Sequence, residues 1–208
     1  PNYGGGWRFP PGFDFAALAK HPETIASRTT FFAGVWMSRN PEEAFGYLSS
    51  GLESGNTNLK NLFADVLPRN GSSNREEAAA RAEWLADRVS GAPEEDRIKF
   101  AKSISEGIDD AAIRGRFVGG IEDEATKAAV IETSIEEMKR NGIRGFVDFL
   151  HHAFDGKQRI EALEALDRKN TGAQSDMDRS ILEARLIEWN ASPEQIRKIM
   201  EKFPNPIR

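Results

Sequence analysis

Residues 179–203 read RSILEARLIEWNASPEQIRKIMEKF. Ile181, Leu182, Leu186 and Trp189 recur every three to four positions, as on one face of a helix. Asn190-Ala191-Ser192 then breaks the pattern and Pro193-Glu194-Gln195 restarts it. Ser192 is suited to cap the second helix, with Gln195 placed to reach back to the Ser192 amide. Pro193 at the first helical position sacrifices no hydrogen bond that the helix needs. Ile196, Ile199, Met200 and Phe203 follow on one stripe, within an arc of about 100°. Two short helices, each with one apolar face, are thus joined by a tight corner, and neither can be stable alone.

The same pattern recurs upstream. Trp36 precedes Asn40-Pro41-Glu42-Glu43 and a stripe of Ala44, Phe45, Leu48 and Leu52, and Trp84 precedes Pro93-Glu94-Glu95 and a stripe of Ile98, Ala101, Ile104 and Ile108. Helix-opening prolines at 41, 93 and 193 suggest corners roughly 50 residues apart, and hence another near 143. There Asn141-Gly142 offers a helix stop ahead of the apolar segment Ile143–Phe154.

Taken in order, Pro1–Gly12 holds Gly4-Gly5-Gly6 and Pro10-Pro11-Gly12 and reads as a tail, although Tyr3, Trp7, Phe9 and Phe13 suit a segment laid on the folded body. With a short helix around Phe15, Leu18 and Ala19 it forms a first segment, 1–22, ahead of a helical region 23–208. Pro22-Glu23 opens a helix through Ile25, Thr29, Phe32 and Trp36. Asn58–Leu67 carries a helical stripe, and Asn70-Gly71-Ser72-Ser73-Asn74 marks a sub-boundary at 70–74. Further helices are expected over Arg75–Val89, Asp109–Val118, Glu122–Arg140, Ile143–Phe154 and Lys157–Arg168. Almost nothing alternates with period two, so no strand is expected and the fold class is all-α, with about 10–11 helices. These are expected to stack as hairpins in a right-handed superhelix or to form an irregular helical bundle.

Composition narrows function by exclusion. Thirty-three acidic residues face 28 basic ones in 208, a net charge of -5, which disfavours nucleic acid as the main partner. No apolar run approaches the ~20 residues of a membrane span. The absence of cysteine removes disulfides, thiolate metal sites and a cysteine nucleophile. A chain that starts Pro1-Asn2-Tyr3 suits a processed product, an exported protein among the readings, or a trimmed piece; the compartment stays open. Asn70-Gly71-Ser72 and Asn190-Ala191-Ser192 match the glycosylation pattern, the second better explained as the corner above.

One cluster has metal-ligand chemistry: Asp148, His151, His152 and Asp155, which the helical repeat places on one side. On a helical wheel they lie within roughly 60° of Asp148, opposite Phe146, Phe149, Leu150 and Ala153, so a solvated polar face is the competing and preferred reading. His21 reads as a loop or cap residue. Ser103 and Ser105 offer hydroxyls that no spacing singles out, and phosphate-loop, Gly-x-Ser-x-Gly, His-Glu-x-x-His and dinucleotide patterns are all absent. Arg114-Gly115-Arg116-Phe117, and Arg81 with Trp84 and Arg88, combine cations with an aromatic as phosphate or base sites do, but also as surface charges over a core ring do. Trp36, Trp84 and Trp189 hold matching places at three corners; packing wedges are expected, with exposed partner-binding anchors as the alternative.

On these corners the chain resembles the α-helical repeat proteins of the HEAT, armadillo and tetratricopeptide type over residues 23–203, without any consensus motif of those families and with a spacing longer than a tetratricopeptide unit. The resemblance implies a non-catalytic scaffold with a curved surface for a protein or peptide partner, and no cofactor. The other expectations are a metal-dependent enzyme built on Asp148, His151, His152 and Asp155, and a nucleic-acid-binding helical repeat.

Overall fold

The computed structural model describes residues 9–21, 23–24, 32–53, 75–140, 142–166 and 176–203. Among them are eleven helices and no strand: α1 (Phe15–Lys20), α2 (Ala33–Arg39), α3 (Pro41–Glu53), α4 (Arg75–Ser90), α5 (Glu94–Glu106), α6 (Ala111–Gly119), α7 (Glu124–Arg140), α8 (Gly142–Ala153), α9 (Gly156–Ala165), α10 (Asp176–Glu188) and α11 (Pro193–Met200). The protein is all-α. No helix among the described residues is long and apolar enough to cross a membrane. The helix expected over Asn58–Leu67, the loop 70–74 and the aromatics Tyr3 and Trp7 lie outside the described residues.

Short polar side chains set the helix starts. Asp14, Asp110, Asp155 and Ser192 each accept hydrogen bonds from first-turn amides that have no partner inside the helix. The corner at 189–193 has the form read from its residues: Ser192 and Gln195 make a complete capping box behind Pro193. Asn190 takes the turn at φ 61°, a left-handed conformation that asparagine tolerates.

The chain divides into two compact units, Pro1–Val66 and Leu67–Arg208. Aromatic contacts join the tail to the helices of the first. In unit 1 Phe9, Phe13 and Phe15 cluster with ring centroids 4.8–5.0 Å apart, and Phe15 stacks on Trp36. Arg39 at the end of α2 donates to the carbonyls of Phe9 and Pro10 at 2.6 and 2.7 Å, which ties the tail to the helices.

In unit 2, α4, α6, α8 and α10 form a row in which each helix packs on the next, while α5 packs on α7 and α9 on α11. The row helices start at residues 75, 111, 142 and 176, at intervals of 36, 31 and 34. Corners spaced by 50 therefore do not mark one kind of joint: those at 93 and 193 link a row helix to its hairpin mate, whereas that at 142 links α7 to the next row helix.

The closest pair is α6 with α8. A Cβ added at Gly115 would lie 2.5 Å from the Phe149 carbonyl oxygen and 2.9 Å from the His152 Cβ, and one at Gly119 would overlap the His152 carbonyl. Two glycines four apart thus let the backbones touch. The core on either side is formed by Leu85, Ile104, Phe117, Phe149 and Leu150, all fully buried. Phe100, not Ile98, fills the inner face of α5; Ile98 is exposed.

Candidate functional site

Each row helix of unit 2 presents side chains four residues apart to one shared groove of about 1110 Å³. Helix α4 contributes Arg75, Ala79 and Glu83 with Glu76 and Ala80, α6 contributes Ala112, Ile113 and Arg116, α8 contributes Arg144, Asp148 and His152, and α10 contributes Ile181 and Arg185. A four-residue step returns nearly to the same side of a helix, which is why each set faces one way. Ala79, Ala80 and Ala112 line the groove beside the charged chains.

Charges of both signs meet there in loose pairs. Arg116 of α6 bonds Glu83 of α4 at 2.9 Å with both side chains about half exposed, and Arg185 of α10 approaches Asp148 of α8 at 3.9 Å. Arg185 is held more closely by Glu188, at 2.7 Å. That bond comes first among the causes that keep the Glu188 carboxyl below the usual range. Arg144 is exposed and makes no ion pair among the described residues.

The sequence-predicted metal cluster is divided among other tasks. Asp155 caps α9, accepting from the Gln158 amide at 2.9 Å. His151 accepts at Nδ1 from the Trp189 indole N–H at 3.2 Å and stacks on that ring. His152 and Asp148 line the groove. Among the described residues, no three His, Cys, Asp or Glu side chains converge as metal ligands. The polar side of α8 is also less solvated than the wheel suggested, because α6 and α10 border it, and both histidines are partly buried.

Burial, and then Arg116, lower the His152 pKa to about 4; burial, and then Arg185, lower that of His151. Both histidines are neutral at pH 7, as the acceptor role of His151 Nδ1 requires. The unfolded chain takes up protons near pH 6.5, whereas the folded chain resists until about 4 at His152. The histidine contribution to stability is therefore complete above pH 6.5 and is lost as pH falls towards 4. Denaturant midpoints are expected to be lower at pH 5 than at pH 7, a gap that His152→Gln narrows; an unchanged gap would show that His152 titrates normally in the fold.

The other candidates make the following contacts. Ser105 Oγ lies 3.0 Å from Ser134 Oγ in a buried bond between α5 and α7. Arg114 is buried and donates through Nε to the Ile108 carbonyl at 2.8 Å, while Gly115 meets α8, Phe117 is in the core and only Arg116 reaches the groove. Arg81 pairs with Glu77, and Arg88 lies over the Trp84 ring at 5.1 Å. The His21 ring accepts from the Glu23 amide. Trp36 and Trp189 are buried and Trp84 is half-buried.

The groove itself was missed in the sequence reading. Its available signal was the four-residue step Arg144, Asp148, His152, which the grouping of Asp148 with His151 and Asp155 obscured.

Comparison of the chain with protein-family models, with curated proteins and with solved structures gives no match. Fold and site together define only a class: an all-α protein with a polar groove across a row of four helices.

Proposed function

We propose that unit 2 is a helical-repeat scaffold that binds a segment of a protein partner along the groove between α4, α6, α8 and α10. One observation carries the reading: four successive row helices each contribute a face to the same groove, so the binding surface is built by repetition. The row interval of 31–36 residues agrees with the ~34-residue helical hairpins of tetratricopeptide arrays. A lining of small and charged side chains suits an extended main chain whose side chains meet polar partners, more than it suits a small apolar ligand.

The test is obstruction. Peptides selected from a random display library on the intact protein should bind the Ala80→Trp variant at least about tenfold more weakly, a loss of ~1.4 kcal/mol. Ala80 is exposed, so the substitution leaves the core alone. Selected peptides that bind the obstructed variant as tightly as the parent would place the binding surface elsewhere.

A further inference from the structure

We propose that the groove selects segments rich in carboxylates, read by Arg116, Arg144 and Arg185. This rests on the groove being the binding surface. The three guanidinium groups come from three consecutive row helices, α6, α8 and α10, and so form a line across the row. Neighbouring helix axes stand roughly 8–10 Å apart. An extended chain in the polyproline II form advances ~3.1 Å per residue and brings every third side chain to the same face, so carboxylates three residues apart keep step with the arginines.

Arg144 makes no ion pair among the described residues, while Arg116 bonds Glu83 at 2.9 Å and Arg185 bonds Glu188 at 2.7 Å in partly exposed pairs, with Asp148 3.9 Å from Arg185. Exposed pairs of this kind are worth little. A guanidinium offered a ligand carboxylate can instead form two parallel bonds. Four arginines and three carboxylates line the groove, and Arg75 and Arg185 are also paired with Asp110 and Glu188, so an acidic segment binds by taking over exposed pairs of this kind. The His152 ring lies beside Asp148 in the same groove yet stays neutral at pH 7, as burial and the nearby Arg116 require.

The same three carboxylates argue against a phosphate backbone. Glu76, Glu83 and Asp148 would meet a continuous run of charge in any nucleic acid, whereas a peptide can set neutral residues opposite them.

The test uses the full chain and fluorescence anisotropy with a labelled peptide of about 12 residues, long enough to cross three helices. Glutamate stands at every third position; one counterpart has glutamine there, another lysine, and a single-stranded RNA of similar length is the fourth probe. The glutamate peptide should bind at least about tenfold more tightly than the other three. Arg144→Gln should weaken it about fivefold, on the scale of one exposed charge contact. Glu83→Gln, which frees Arg116, should tighten it, a gain that damage to the fold cannot imitate. Equal binding of the glutamine peptide, tighter binding of the lysine peptide or the RNA, or no binding of the glutamate peptide would each overturn the proposal. If the glutamine peptide binds as well and Ala80→Trp still blocks it, only the charge inference fails. If Ala80→Trp leaves binding unchanged, the groove reading fails with it.

Discussion

Trp189→Ala is expected to remove about 3–5 kcal/mol from a total stability of roughly 5–15. The ring is buried where three elements meet. It follows the last turn of α10, stacks on His151 of α8 with centroids 6.3 Å apart, and has the Arg159 guanidinium of α9 over it at 5.4 Å. Arg159 also donates to the Leu150 carbonyl at the end of α8, so the same cluster fastens α9. Truncation would leave a cavity bordered by these groups, and His151 Nδ1 would lose its donor. Trp189→Phe separates the contributions: it keeps most of the apolar area and removes the N–H, and should cost about 1 kcal/mol for the hydrogen bond plus a smaller packing loss. Urea melts followed by circular dichroism measure both. A loss within about 0.5 kcal/mol for Trp189→Ala, as for an ordinary surface change, would contradict the buried position.

Gly119→Ala should be nearly as disruptive in proportion to its size, and with the opposite sign from what helix propensity suggests. Alanine in a helix is normally better than glycine by about 0.5–1 kcal/mol. At Gly119, however, the new methyl would overlap the backbone carbonyl of His152, and at Gly115 that of Phe149, neither of which can rotate away. Helices α6 and α8 must then separate, and overpacking of this kind costs about 1–3 kcal/mol. Gly46→Ala in α3 is the control, since a Cβ there meets nothing within 4 Å and should stabilise by about 0.5–1 kcal/mol. Losses at 115 and 119 beside a gain at 46 would establish the glycine contact. A gain at all three positions would mean that α6 and α8 are not in backbone contact.

Local features were legible in the residues because local chemistry determines them. The Ser192–Gln195 box, Pro193 and the start of α11 need only neighbours along the chain. Trp189 was read correctly as buried, but its partner was not, since His151 is 38 positions away and nothing in either side chain announces the other. The helical wheel places residues relative to their own helix alone. It assigned Asp148 and His152 to the side away from the apolar stripe, which is correct, and inferred a solvated face there, which holds only in part, because α6 and α10 border that side. Gly119 fell just beyond the helix expected over Asp109–Val118 and Gly115 read as part of a basic stretch, since a small residue reveals its packing role only when the helix across from it is known. The hairpin interval was obscured for a related reason: proline marks the corners at 93 and 193 but not those after α6 and α8, where Asp123 and Asp155 accept from the Thr126 and Gln158 amides.

The most direct test of the groove is photo-crosslinking from defined positions. A photoreactive residue placed singly at Ala80 or Arg144 faces the groove, and one at the exposed Lys99 stands on α5, outside the row. With a bound peptide chosen by display, crosslinks are expected from Ala80 and Arg144 and not from Lys99. Crosslinks from Lys99 alone would contradict the account.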